Sequence, residues 1–430
     1  MIQNIAAVQS LSGAGLIERI TRKLTHITLL AAALYAAGAC ADDLEAPLFS
    51  FSGFGTLGVV HSSEDQADFT SSIFKPNGAG YSHAWSADVD SLIGGQVTAT
   101  ITPKLSAVLQ VIAEQNYDNT YHPYVEWANI QYQFTQSFSA RIGRTVLPTF
   151  LFSDTRKVAY TYTWVRPPLE VYRLLPTTTR DGIDASDQMR IGDITNILQA
   201  HVGKSDNQLP NDTGDIKAKQ SWGLAYTGEY RATTVHIGYE SMHLTLDGLK
   251  PIFDGFRQFG PEGIALADKY EVDNQAISVT TIGARYDPGQ WFMMGEVAHG
   301  VTHSIFGKGT GWYLSGGYRL GKFTPYITYA EAKADNLSDP GLNLSTLPPS
   351  LAGAAAGLNA ALNSLLSTKP VQNTLSIGGR WDFMSNAALK LQYDHTDIGD
   401  GSSGELINLQ PGFQPGGTIN LFSATIDFVF

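Results

Sequence analysis

Cysteine is all but missing from this chain: Cys40 is the only one in 430 residues. No intrachain disulfide can form, so an exported fold would need some other closure. Charge is scarce as well, at 16% of residues against about a quarter in an ordinary soluble chain. That deficit excludes a charge-rich disordered chain, and the net charge of −12 excludes a basic nucleic-acid footprint. Long apolar runs are lacking too. Past Asp42 none approaches the ~20 residues that a spanning helix needs, and the mean hydropathy of −0.08 excludes a multi-span helical membrane protein. Two classes survive: a large soluble all-β protein, or a membrane barrel whose strands alternate apolar and polar residues so that the average cancels.

What is present starts with glycine, 43 residues, and aromatics at 11%. At the N-terminus a charged region, Glu18-Arg19-Ile20-Thr21-Arg22-Lys23, precedes an apolar run from Ile27 to Ala37 and the small-x-small triplet Ala39-Cys40-Ala41. This is the pattern of a secretory signal peptide cleaved before Asp42; the run is too short for a transmembrane anchor. Losing residues 1–41 leaves 389 residues, moves the net charge to −14 and removes the one cysteine.

At the other end, Phe422, Ala424, Ile426, Phe428 and Phe430 recur at period two, with Ser423, Thr425 and Asp427 between them. A terminal strand that finishes on its last aromatic looks like the assembly signal of bacterial outer-membrane barrels, carried by Phe422, Phe428 and Phe430. The same period-two test along the chain predicts sixteen strands: 49–60, 92–101, 105–114, 124–135, 138–146, 182–191, 194–202, 221–229, 233–245, 275–286, 291–303, 311–320, 323–334, 374–383, 388–397 and 418–430. Every second connection is tight. The intervening ones, 61–91, 115–123, 147–181, 203–220, 246–274, 304–310, 335–373 and 398–417, are mostly long. Short turns sorted to one side and loops to the other describe an all-β, antiparallel transmembrane barrel of sixteen strands filling 42–430. A soluble sandwich has no reason to sort its connections in this way.

The faces agree. Leu375, Ile377, Gly379, Trp381 and Phe383 alternate with Ser376, Arg380 and Asp382, and Leu389, Leu391 and Tyr393 with Lys390, Gln392 and Asp394. The same split puts Glu114, Arg141, Glu240, Glu296 and Arg319 in the lumen, whereas an Arg or Lys facing lipid at mid-membrane would cost roughly 2–4 kcal/mol.

With Phe51-Ser-Gly-Phe-Gly-Thr-Leu-Gly-Val-Val60 as first strand, Ala140-Arg-Ile-Gly-Arg-Thr-Val-Leu-Pro148 leading into the third long loop, and Phe430 last, the chain resembles the Gram-negative porin family. The likeness covers nearly the whole span from 42 to 430, though its motifs are short. It implies that the third external loop folds into the barrel, that three barrels associate in outer-membrane lipid, and that periplasmic chaperones and the barrel-assembly machinery handle the chain on its way there.

That third loop carries Arg156, Lys157, Arg166, Arg173 and Arg180 against Asp154, Glu170 and Asp181, and is preceded by Arg141 and Arg144. These two arginines differ in parity, so one would face lipid unless Gly143 marks a bulge or Arg144 sits above the bilayer. Two readings follow: a constriction with a positive field, set against Arg141, Arg319, Arg380 and Lys390, or loop cations neutralised by wall carboxylates such as Glu114 and Glu240. Leu351 to Leu366 repeats apolar residues at helical spacing after Pro348-Pro349-Ser350, which predicts a short helix capping the mouth.

Other motifs carry less. Gly53-Phe-Gly55-Thr-Leu-Gly58 matches a dinucleotide fingerprint in letters only, since Val59-Val60 and a polar loop follow instead of a helix. His299 and His303 share a strand face without a third metal ligand in sequence, and Ser315 lacks the first glycine of a nucleophile elbow. The expectation is a channel for small hydrophilic solutes, without cofactor, metal, nucleic acid or catalytic residues. Its rivals are a substrate-specific channel using Phe150, Phe152, Tyr160, Tyr162, Trp164 and Tyr172 as a solute track, and a barrel enzyme or adhesin.

Overall fold

The computed structural model describes residues 48–430 apart from 336; the expected leader at 1–41 lies outside the described residues. Alternating, β-branched and aromatic-rich segments form sixteen long strands: β1 (Phe49–Ser62), β2 (Leu92–Thr102), β3 (Leu105–Glu114), β4 (Tyr124–Gln133), β5 (Phe138–Val146), β6 (Thr179–Ile191), β7 (Ile194–Gln208), β8 (Asp215–Tyr230), β9 (Thr233–Leu246), β10 (Gln275–Tyr286), β11 (Trp291–Thr302), β12 (Lys308–Tyr318), β13 (Phe323–Ala334), β14 (Gln372–Met384), β15 (Ala387–Ile398) and β16 (Gly417–Val429). Sequence neighbours pair antiparallel, and β1 pairs with both β2 and β16, so the sheet closes on itself and leaves no open edge.

The burial pattern is the reverse of a soluble sandwich. Ile142, Ile183, Leu224, Ile282 and Ile377 are all more than half exposed on the outside, while Thr281, Lys390, Ser423 and Asp427 on the inside are at most 1% exposed. Apolar side chains point away from the enclosed space and polar ones into it, the arrangement that lipid outside and water inside stabilise.

The seam depends on two glycines. Gly53 and Phe430 exchange backbone hydrogen bonds of 2.7 and 2.9 Å, and Gly55 lies opposite Phe428. A Cβ on Gly55 would sit 2.5 Å from the Phe428 ring, so these glycines leave room for the terminal aromatics to lie across the strand. Close approach, not a phosphate cradle, accounts for the G-x-G-x-x-G letters.

Four helices occupy the connections: α1 (Leu169–Tyr172), α2 (Lys250–Arg257), α3 (Gly260–Tyr270) and α4 (Pro349–Ser367). The predicted helix at 351–366 is α4. It buries Ala355, Leu362 and Leu366 against Phe253 and Phe256 of α2 and Tyr270 of α3, with Ile305 from the sixth loop and Ile73 and Phe74 from the first packed against the same cluster. Four loops thus build one apolar roof at the loop end. A second tie at that end is a small sheet, Ala79–Gly80, Asp68–Phe69 and Leu406–Ile407, which joins the first loop to the eighth. The β7–β8 hairpin outruns its predicted ends, pairing as far as Gln208 with Asp215.

Candidate solute pathway

The third loop, residues 147–178, contains Pro148, Pro167, Pro168 and Pro176, forms only short turns and α1, and therefore has many backbone groups to satisfy elsewhere. The wall satisfies them. The Thr149 carbonyl lies 3.2 Å from Nε2 of His236 on β9, and the Leu151 amide donates to Glu296 on β11 at 2.8 Å. The Trp164 indole donates to Ser315 on β12 and Thr328 on β13, at 2.9 and 3.0 Å. Arg380 on β14 donates to the carbonyls of Tyr160 and Tyr162 at 2.6 and 3.0 Å. Lys390 on β15 donates to those of Ala159 and Trp164 at 2.7 and 2.6 Å while pairing with Asp427 of β16 at 2.9 Å. At the turn end the Tyr160 hydroxyl reaches the Ser385 carbonyl, 2.8 Å away.

These contacts change the role expected of several residues. Lys390 is fully buried beneath the loop, so it is an anchor and does not line a constriction. Arg380 is likewise committed to loop carbonyls and to Asp382. Of the six aromatics considered as a solute track, Phe150, Phe152, Tyr162, Trp164 and Tyr172 belong to one buried cluster with Phe292, Tyr313 and Tyr326, while Phe152, Tyr160 and Tyr162 line the cavity nearer the turns. Trp164 meets Phe152 and Tyr313 edge to face at 5.4 and 5.5 Å. The clustered rings fix the loop to the wall, and Tyr160 alone of the six stays outside the cluster, under the Arg380 guanidinium.

The loop cations are mostly paired. Lys157 binds Glu114, Arg173 binds Glu405 at 2.6 Å, and Arg166 binds Asp90 at 2.6 Å and Asp394 at 3.5 Å. Arg180 and Arg141 share Asp184, at 3.3 and 2.8 Å. Glu170 accepts from Gln372 and Thr374 of β14. Glu240 does not meet the loop cations; its partners are His201 and Ser221, each at 2.6 Å. Arg156 is the exception, donating to the Leu175 and Tyr172 carbonyls at 3.2 and 3.0 Å and lying 5.4 Å over the Tyr172 ring, with no ion pair among the described residues. Burial holds its guanidinium below the ordinary value. Arg144 leaves the lumen altogether. Gly143 takes φ +125° without a register slip, and Arg144 shares the outward face of Ile142, held by Asp181.

Most of the loop's contacts with the wall fall on β9–β16; Lys157–Glu114, Thr178–Glu126 and Thr177–Asn207 are exceptions at the loop end, and Arg166 and Arg173 reach the first and eighth loops. The facing wall, β2–β8, presents Gln96, Gln131, Arg141, Ser186, Gln199 and Thr227 inward. Asp154 is exposed towards that wall and interacts electrostatically with Arg141, His236 and Asp184. Trp127 also faces in, opposite Gln110 and in unbroken register with Asn129 and Gln131; the β4 bulge lies just beyond it, between Gln110 and Val111.

Nearer the turns is a cavity of about 390 Å³ lined by Arg285, Arg319, Arg380, Asp382, Tyr160 and Thr324 among others. Arg319 belongs to this end of the barrel and forks onto Asp287 at 2.7 and 2.8 Å; Arg285 joins the same carboxylate. The two guanidinium groups hold the Asp287 carboxyl well below the usual carboxylate range. Arg285 was missed in the sequence although its parity on β10 was the available signal, and its Nε has no partner. Three guanidinium groups thus face two carboxylates, Asp287 and Asp382. His299 points outward with Nδ1 at 2.8 Å from Thr310, and no group of three potential metal ligands occurs among the described residues.

No family model matches the sequence, and no curated protein matches it. The architecture does match solved structures. An anion-selective porin from Comamonas acidovorans aligns at TM-score 0.54 with 11% identity, over 89% of this chain and 99% of that one. The Salmonella typhi OmpF complex with daunomycin aligns at 0.53 with 12% identity, over 89% and 97%. The outer-membrane channel DcaP of Acinetobacter baumannii aligns at 0.51 with 10% identity, over 90% and 100%. At such identities what is shared is the architecture, and the chain has the fold of a sixteen-stranded porin.

Proposed function

We propose that this chain is an outer-membrane channel of a Gram-negative bacterium that lets small hydrophilic solutes diffuse passively. The observation that carries the reading is the inversion of the closed barrel, with large apolar side chains outside and polar or charged ones inside. In this reading segment 147–178 is the inward-folded narrowing. Solutes pass between it and the β2–β8 wall, filtered by size and by the field of Asp154, Arg141 and Arg156. Phe422, Phe428 and Phe430 serve as the assembly signal after export, and three copies associate in the membrane.

A second reading, a preference for anions, is favoured by the cavity at the turn end, where Arg285, Arg319 and Arg380 outnumber Asp287 and Asp382. Purified protein in planar bilayers tests both. Stepwise conductance is expected, and a folded, heat-modifiable sample without conductance refutes the channel. Arg285→Gln with Arg319→Gln should move the reversal potential in a salt gradient towards cations; an unmoved potential refutes only the anion preference.

A further inference from the structure

The outer surface at the loop end carries a basic row that the channel reading leaves unused. Arg144 of β5 stands opposite Asp181 of β6, and Asp181 stands opposite Lys204 of β7. Between the pairs Gly203↔Ser221 and Ser205↔Ala218 the β7–β8 register shifts, so that Lys219 and Gln220 face Lys204 alone. Lys219 in turn opposes His243 of β9. Gln220 adopts φ +49°, a left-handed conformation that a non-glycine residue enters at a cost and that here turns the bulge outward.

The charges in this row do not cancel. Asp181 is its one carboxylate, and Arg144 holds it with two hydrogen bonds, of 2.7 and 2.8 Å. The next acid on this face, the exposed Asp206 of β7, stands opposite Lys217, which also takes up Asp215 and Asp247 at 3.2 and 2.9 Å. Lys204 and Lys219 are exposed and make no ion pair among the described residues. Like charges facing each other across a strand pair are destabilising, all the more notable in a chain of net charge −12. An anion between them relieves the repulsion.

The surroundings say which anion. One step towards the barrel's middle lie the outward pair Trp222 and Tyr239, ring centroids 5.3 Å apart, and then Val202, Leu224, Ile183 and Ile142, all more than half exposed. Aromatic pairs of this kind mark the boundary between hydrocarbon and headgroups. A basic row just beyond them, on the lateral face of the barrel, sits at the level of lipid phosphates.

We propose that Arg144, Lys204 and Lys219 form a binding site for the phosphorylated headgroup of an anionic lipid in the leaflet around the loop end, with its acyl chains lying on Ile142, Ile183, Val202 and Leu224. The site rests on the membrane placement proposed above, but not on conduction. The test is native mass spectrometry of the full-length purified protein titrated with lipid A, with phosphatidylglycerol and with zwitterionic phosphatidylcholine. A conservative double variant, Lys204→Gln with Lys219→Gln, and the exposed outward lysine variant Lys333→Gln on β13 serve as comparators, all confirmed as folded by heat-modifiability. Retained lipid A or phosphatidylglycerol, weakened roughly thirtyfold by the double variant and unchanged by Lys333→Gln, supports the site. Equal retention by the double variant, an equal loss with Lys333→Gln, or retention of phosphatidylcholine alone overturns it. So does a double variant that dissociates into single barrels, which assigns the row to a contact between copies. Planar-bilayer conductance of the same samples separates failure of this site from failure of the channel.

Discussion

Arg166 offers the most direct way to perturb the third loop. Its guanidinium is 7% exposed and donates to Asp90 at 2.6 and 2.9 Å and to Ser423 at 2.8 Å, with Asp394 at 3.5 Å and the Phe69 ring 5.1 Å below. Arg166→Ala leaves two buried carboxylates facing each other without a cation. Breaking a buried pair by removing one partner costs about 3–5 kcal/mol, or roughly two to four powers of ten in the ratio of seated to released loop at about 1.4 kcal/mol per decade. Release is confined to the turn around 165–169, because Lys390, Arg380 and Trp164 still hold 159–164 and Glu170 and Arg173 still hold the chain beyond it on Gln372, Thr374 and Glu405. The expected result is a larger and noisier single-channel conductance from protein that remains heat-modifiable. Removing all three charges, Arg166→Met with Asp90→Asn and Asp394→Asn, should recover thermal stability while keeping the altered conductance, since the stranded carboxylates carry most of the penalty. A variant Arg166→Ala with parental conductance and noise would refute the assignment of the loop as the narrowing.

Glu405 in the eighth loop is pushed up to about 7 by burial, against the opposing pull of Arg173. A raised pKa means that the folded state keeps a proton the unfolded chain has lost. Its contribution is whole below about 4.5 and is lost as pH rises through about 7. Glu405→Gln should flatten that part of the melting-temperature profile, and an unchanged slope would place the titration elsewhere. At the seam, Gly55→Ala sets a Cβ against the Phe428 ring and should lower the temperature at which the folded band is lost. Adding Phe428→Ala should recover part of that loss, and no recovery would exclude the steric account.

Much of the barrel was legible because a strand with lipid on one side and water on the other must alternate, and alternation survives in a single sequence. β3, β5, β10 and β13 end where the period ends. The β7–β8 extension was hidden because Lys204 to Gln208 is polar on both faces, beyond the reach of the hydrophobic signal. α2 and α3 were read as loop, although Phe253 and Phe256 lie three apart and Pro251 and Pro261 mark helix starts. The candidate pathway was less legible. Composition located the cations of loop 147–181 but not their partners, since Arg166 and Ser423 are 257 residues apart. Lys390 illustrates the limit: parity correctly turned it inward, but parity cannot tell a side chain in open water from one lying under a loop.

The reach of Arg166 also orders events during folding. Its partners lie in the first loop, at Asp90, and in the two final strands, at Asp394 and Ser423. The seat of the third loop is therefore complete only once early and late parts of the chain have met, and it spans the neighbourhood of the β1–β16 junction that closes the ring. Closing the cylinder and completing the Arg166 seat are thus linked, so a chain stalled before its last strand would lack both a sealed wall and the full set of Arg166 partners.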